Sequence, residues 1–322
     1  MPRPLRLLTT DRAPGYLHAL AGVGARWDVL VPEHDGLAAW WARLRELPGD
    51  TRAVRPAVAS ERLSRGVYDA VVAHSPSEAL ALGGHVPVVL VLHERRELAE
   101  AFGDAPARWD APTRTAVGSA RLVFASPESA RSWAMPGEVV APAVNAAEWP
   151  LGDLSGTEAV TVTPFAAERA AFDTAYLLAH VLARVPVAVL GLNPGMGVDY
   201  DTAARPFRQR AYATARAYLN LSSPQFETAA PAAMLEAMAS GLPVVTLAHA
   251  GSPIVDGSNG LVAQDADGLV DAVARLLEDE RLALRLGTAA RATVMQQHAP
   301  HAFREAWTRL LEDVCRSRRR VA

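Results

Sequence analysis

SSPQFETAAPAAMLEAMASGLPVVTLAHAGSPIVDGSNGLV, residues 222–262, is the stretch whose pattern decides the fold. Pro231 suits the opening turn of a helix, where its missing N–H has no intrahelical bond to lose, and Thr228 suits the cap. Met234, Leu235 and Met238 supply an apolar face, Gly241 and Pro243 stop the helix, and Val244 and Val245 enter a strand. Such a helix start leaves the backbone N–H groups around Ala229 and Ala230 at the positive end of a helix dipole, where an anion is favoured. Glu236 lies five residues beyond Pro231, about 7–8 Å along the axis at roughly 1.5 Å per residue. A pyrophosphate at the helix start therefore puts a nucleoside ribose within reach of a carboxylate able to accept from both ribose hydroxyls.

Outward from this segment, the first half of the chain alternates short apolar runs with helical stretches, the pattern of parallel strands joined by crossover helices. Strands are predicted at 5–9, 27–31, 70–73, 86–92 and 122–125. Several are unbroken Val, Leu and Ala runs, which suits burial on both faces. Helical spacing covers 37–47 and 95–102. Pro and Gly enrichment from Pro136 to about Thr157 marks an inter-domain link. The pattern then restarts with a strand at 160–162, a helix at 166–183, a strand at 187–190 and a loop containing Gly191, Pro194, Gly195 and Gly197. A helix from about Pro231 to Ser240, a strand from Pro243 to Leu247 and a helix from Ala266 to Leu277 follow.

LEAMASGLPVV (235–245), followed by DGSNGLV (256–262) and ADGLVDAVARLLED (266–279), resembles the C-terminal domain of family-four retaining glycosyltransferases, the glycosyl transferases group 1. In the first domain, YDAVVAHSP (68–76) and PVVLVLHE (87–94) are similar to the family's third and fourth strand ends. ARLVFASPESARSW (120–133) and VVAPAVNAAEW (139–149) resemble its last strand and exit to the linker. The likeness implies an α/β protein of GT-B fold, two Rossmann-like doubly wound parallel-sheet domains facing a central cleft, in a compact variant. The expected division is 1–148 as the acceptor-side domain, 149–300 as the nucleotide-sugar-binding domain, and 301–322 as a C-terminal helix packing back on the first, with a basic tail.

The resemblance also implies site residues. His93 and Glu227 take catalytic positions. Glu236, Arg169, Thr228, Ala229, Ala230, Gly191 and Asn193 bind the donor, and Gly15 and His74 lie on the acceptor side. The family has two glutamates separated by seven residues, and Thr228 stands at the first position with Glu227 adjacent. It also clamps the donor pyrophosphate with an arginine and a lysine, whereas VTVTPFAAERAAFDTAYLLA (160–179) offers Arg169 alone. The span between Leu190 and Ser222 is shorter than in the family, so an α/β unit is expected to be trimmed.

Composition narrows the chemistry. All 32 basic residues are arginine, which excludes a Schiff-base lysine and a Walker-type phosphate lysine. The single cysteine, Cys315, excludes an internal disulfide and a cysteine-rich metal site. Net charge of −3 supplies no field for a polyanion, so nucleic acid is not an expected partner. Without a signal-peptide pattern or an apolar run of about 20 residues, the expectation is a cytoplasmic protein. The helix around Trp40 and Trp41 is expected to pack on the sheet and the basic tail from Arg316 to Arg320 to be solvated and disordered, with weak peripheral contact with an anionic membrane as the alternative for both. Asp199-Tyr200-Asp201 and Asp265-Ala266-Asp267 both match an Asp-x-Asp metal pattern; its occurrence twice in one chain marks it as chance, and no metal or cofactor is expected. The expected activity is retaining, metal-independent hexosyl transfer from a nucleoside-diphosphate sugar. A non-catalytic nucleotide-sugar binder and a nucleotide-sugar epimerase or hydrolase of the same fold stand as alternatives.

Overall fold

The structure, a computed structural model, describes residues 3–11, 14–31, 51–97, 110–164, 166, 174–196, 202, 204–222, 231–249 and 251–321. These form two compact units, 1–142 together with 300–322, and 143–299.

The first unit is built on seven parallel strands: β1 (Arg6–Thr10), β2 (Arg26–Leu30), β3 (Thr51–Val54), β4 (Ala70–Ala73), β5 (Val88–Leu92), β6 (Arg121–Phe124) and β7 (Glu138–Val139). Their order is β3-β2-β1-β4-β5-β6-β7. The strand order reverses between β1 and β4, the topological switch point of a doubly wound sheet. The apolar runs of β4 and β5 occupy its centre, and every residue of β4 is buried. β3 is an edge strand with only Val54 buried, and β7 is a two-residue edge strand inside the segment expected to be linker.

The helices of this unit are α1 (Pro14–Ala21), α2 (Pro56–Ser64), α3 (Pro76–Leu82), α4 (Ala111–Ser119), α5 (Pro127–Trp133) and, from the far end of the chain, α11 (Pro300–Val321). Two strand-to-helix turns share one local solution. Ser75 accepts the Glu78 N–H at the start of α3 and Ser126 accepts the Ser129 N–H at the start of α5, with Pro in the next position each time. α11 buries Phe303, Trp307, Leu310 and Leu311, and the Trp307 Nε1–H donates to the Tyr16 hydroxyl of α1 at 3.2 Å. The tail expected to be disordered is instead helical backbone as far as Val321, because the 22-residue helix carries its own backbone hydrogen bonds once its apolar stripe is buried.

The second unit contains β8 (Ala159–Val162), α6 (Thr174–Leu182), β9 (Val187–Leu190), α7 (Arg205–Thr214), β10 (Ala217–Leu219), α8 (Ala232–Ala239), β11 (Val244–Leu247), β12 (Gly260–Ala263), α9 (Ala266–Glu278) and α10 (Glu280–Gln297). Its parallel sheet runs β12-β11-β10-β8-β9. A complete dinucleotide-type sheet follows the order 3-2-1-4-5-6. Among the described residues the strand that would flank β9 on its outer side is missing, in keeping with the short span after Leu190. Its core joins Val160, Leu219, Val244 and Val245 of the sheet to Met234, Leu235 and Met238 of α8 and Leu269 and Val273 of α9.

Candidate functional site

α8 is the helix anticipated in the 222–262 segment, and it begins one residue later than expected. Pro231 has φ −61° and ψ 143°; that extended ψ places it just outside the helix, in the capping position. It offers no side-chain cap. Thr228, Ala229, Ala230 and Glu227 lie outside the described residues, as do Arg169, Asp199, Asp201 and the 37–47 stretch.

Glu236 sits midway along α8, only 9% exposed. Its carboxylate meets Arg208 of α7: Nη2 donates to Oε1 at 3.0 Å, and Nε stands 2.8 Å from Oε2, an ionic contact outside good hydrogen-bond geometry. Burial pushes the carboxyl above its ordinary value, and the Arg208 charge opposes that push. A carboxylate presents about four acceptor positions, and one guanidinium does not consume them.

Arg208 is itself held in place. Its guanidinium lies 5.6 Å from the centre of the Trp149 ring and that of Arg205 lies 5.3 Å from it. Arg205 also bonds the Glu148 carboxylate. One turn further along α7, the Tyr212 hydroxyl donates to the Ala233 carbonyl in the first turn of α8 at 3.1 Å, and its burial raises the phenol well above the usual range. The result is a carboxylate fixed on a helix that is stapled to its neighbour on both sides.

Gly191 and Asn193 define the turn after β9. Gly191 has φ +125°, and a Cβ there would stand 2.7 Å from the backbone N and Cα of Pro164, so both conformation and space demand glycine. The Asn193 amide, 2% exposed, is spent on backbone. Its Nδ2 donates to the carbonyls of Thr163 at 3.1 Å and Gly191 at 3.3 Å, while Oδ1 accepts the Ala166 N–H at 2.8 Å. This clamps the turns after β8 and β9 together at the carboxyl edge of the sheet. Asp265 of the second Asp-x-Asp match caps α9 by accepting the Gly268 N–H. Beyond β11, burial lowers the His249 imidazole to about 4.

In the first unit, His74 and His93 follow the ends of β4 and β5 directly. His74 Nδ1 and His93 Nε2 are 3.0 Å apart, and His74 Nε2 is 3.1 Å from Thr9 Oγ1 at the end of β1. The Glu78 carboxylate accepts the His74 backbone N–H at 2.7 Å and the Thr10 hydroxyl at 3.1 Å. Tyr16 sets its ring edge-on to both imidazoles. Gly15 is the residue before Tyr16 in α1. Thus His74 and His93 are bonded to each other, with Gly15 adjoining a residue that packs on them.

Thr9, Tyr16, Glu78 and Arg208 escaped sequence reasoning. The Ser75-x-x-Glu78 capping pattern could have found Glu78. Arg208 is joined to Glu236 across 28 residues, with no local signal.

Residues 202–279 match the family described as Glycosyl transferases group 1. No curated protein matches the chain significantly. Among solved structures, the chain is similar to HepE from Anabaena crystallised with UDP and glucose, at 14% identity, covering 96% of this chain and 100% of that one with a TM-score of 0.71. It is also similar to sucrose-phosphate synthase from Thermosynechococcus elongatus, at 15% identity over 98% of this chain and 100% of that one, TM-score 0.70. WaaG, a glycosyltransferase involved in lipopolysaccharide biosynthesis, is similar at 14% identity over 95% and 99%, TM-score 0.63. The second unit thus carries a segment matching the group 1 glycosyltransferases, and the chain has the GT-B fold of these structures.

Proposed function

We propose that the protein transfers a hexosyl group, with retention at the anomeric carbon and without a metal ion, from a nucleoside-diphosphate sugar to an acceptor hydroxyl. The observation that carries this reading is the buried Glu236 carboxylate, fixed by Arg208 on a helix whose capping residue, Pro231, makes no side-chain cap bond. In this reading Glu236 accepts the ribose hydroxyls, while the amides around Ala229 and Ala230, with Thr228 and Arg169, hold the diphosphate. Gly191 and Asn193 shape the turn beside the donor. Glu227 and His93 orient the sugar, and Gly15 and His74 belong to the acceptor side. Catalysis then consists chiefly of positioning two substrates and stabilising the leaving diphosphate.

HepE has been crystallised with UDP-glucose, which makes uridine donors the first to test. Thermal-shift titration with UDP-, GDP-, ADP- and dTDP-glucose is expected to single out one base; ligand at 100 times its dissociation constant stabilises by about 2.7 kcal/mol. The Glu236→Gln variant, close in size, is expected to lose that shift while remaining folded. Undiminished donor stabilisation in this variant would refute the site. Slow donor hydrolysis, with water standing in for the acceptor, is expected to release the α-anomer from an α-linked donor and to proceed equally in EDTA. Donor binding with no turnover at all would favour the non-catalytic binder.

A further inference from the structure

The backbone that carries His93 is held by a helix as well as by the sheet. β5 ends at Leu92 and its neighbour β6 ends at Phe124; the Leu92 carbonyl accepts the Ala125 N–H at 3.1 Å, and the second chain then turns into α5. Side chains of α5 take over from there. The buried Ser129 hydroxyl stands 3.1 Å from the Leu92 carbonyl and 3.0 Å from the Glu94 carbonyl, those of the residues on either side of His93, and its single hydrogen is shared between them. The Trp133 Nε1–H donates to the Glu94 carbonyl at 2.9 Å. Further along, the Arg96 N–H donates to Ser132 Oγ at 2.8 Å, that hydroxyl donates to the Glu97 carboxylate at 2.9 Å, and Arg95 pairs with Glu128 at 3.0 Å. Glu128, Ser129, Ser132 and Trp133 follow three- and four-residue spacing, so one face of α5 grips the segment 92–97.

We propose that Ser129 and Trp133 are positioning residues for sugar transfer, which hold His93 at the end of β5 through the carbonyls of the residues on either side of it. The inference rests on the role given to His93 in the proposed transfer.

The Ser129 bond exceeds what the backbone needs. A buried carbonyl is satisfied by one partner; Leu92 has the Ala125 N–H and Glu94 has the Trp133 indole. The hydroxyl between them therefore adds restraint, not satisfaction. The ring is gripped separately, with His74 Nδ1 3.0 Å from its Nε2 and the Tyr16 ring edge-on at 5.1 Å. A ring tied at its far end still moves with its own Cα, and tying the backbone on both sides removes that freedom. The restraint bears on rate because a misplacement of about 1 Å can cost roughly 100-fold.

Ser129→Ala deletes the bridging hydroxyl while each carbonyl keeps a donor, so the variant is expected to fold with a urea midpoint close to wild type. In 1H–13C spectra of the full chain at one fixed pH, without donor or acceptor, the His93 imidazole signals are assigned by their loss in His93→Gln. They are expected to shift and broaden in Ser129→Ala and in Trp133→Phe, while those of His180 in α6 and His301 in α11 stay in place. Donor hydrolysis by Ser129→Ala is expected to lose about tenfold in kcat with the donor KM held within about twofold. Ser129→Cys keeps the volume and a weak S–H donor and is expected to fall between Ala and wild type. Ser132→Ala, on the same helix face but bonded to Arg96 and Glu97, is the control and is expected to keep the wild-type kcat. His93 signals unchanged in both Ser129→Ala and Trp133→Phe overturn the proposal. An equal loss of kcat in Ser132→Ala overturns it too, since α5 would then be a general support of the segment. A wild type that turns over no donor fails the transferase reading instead, and the spectra, recorded without sugar nucleotide, still decide whether Ser129 and Trp133 hold His93.

Discussion

Glu236 and Arg208 form a buried ion pair between adjacent helices of the second unit, with contacts of 2.8 and 3.0 Å and side-chain exposures of 12% and 20%. The carboxyl is raised by its burial, and Arg208 is the first group that pulls it back. Arg208 therefore opposes the protonation that burial favours.

Arg208→Met removes that counter-charge while keeping the stem. A carboxyl whose folded pKa lies above its unfolded value favours folding below the unfolded pKa, and this contribution is lost as pH rises through the folded pKa. The variant pushes the folded pKa higher still, so its deficit relative to wild type is expected to grow from pH 5 to pH 8, reaching about 3 kcal/mol, the scale of a broken buried pair. Urea unfolding at the two pH values checks this. An equal deficit at both would mean that lost packing, not charge, is the cause.

Asn193→Asp is nearly isosteric and tests the clamp between the β8 and β9 turns. The new oxygen faces the carbonyls of Thr163 and Gly191 where an amide N–H₂ had donated; only the bond from Ala166 N–H survives. Loss of buried donor bonds is expected to cost about 1–3 kcal/mol, read as a lower urea midpoint with unchanged slope. Gly191→Ala is expected to cost at least as much, since its Cβ meets Pro164 at 2.7 Å in a left-handed conformation.

Much of this fold could be read from the chain because its central strands are unbroken apolar runs. β4, β5 and β9 stand where AVVA, VVLVL and VAVL stand. β3 and β7 escaped because edge strands need little apolar character; three of the four residues of β3 are not buried. α7 escaped because RPFRQRAYAT is mostly polar, its inward face being made of Arg208 and Tyr212 rather than aliphatic residues. The place of Glu236 on α8, which depends on a single helix, was legible. The contact between His74 and His93, each named from the sequence, was not: they meet only because β4 pairs with β5 in parallel, with Ala73 beside Leu90.

Tyr16→Phe removes the hydroxyl that accepts from Trp307 Nε1 at 3.2 Å and donates to the Val140 carbonyl at 3.3 Å. Trp307 is fully buried, so its N–H is left without that acceptor, at a cost of about 1–3 kcal/mol. The expected effect is local: faster amide exchange in α11 and α1, with exchange in α8 and α9 unaltered. Uniform acceleration in both units would show that the bond does not act through the docking of α11.

His249 provides a pH dependence of opposite sense to that of Glu236. Burial lowers its imidazole from 6.5 to about 4, so the unfolded chain binds this proton more tightly than the folded one. Its contribution is fully present above the unfolded pKa and is lost as pH falls toward the folded value. The window from about 6.5 down to about 4 lies mostly above that of Glu97, Glu128 and Asp153, whose hydrogen-bonded carboxylates sit below their ordinary values and lose their contributions at lower pH. His249→Asn, which cannot take up the proton, is therefore expected to flatten the fall in melting temperature between pH 6.5 and pH 4.5 while leaving the steeper acid limb below it. A wild-type profile and a variant profile that run parallel through that window would assign the slope to other groups.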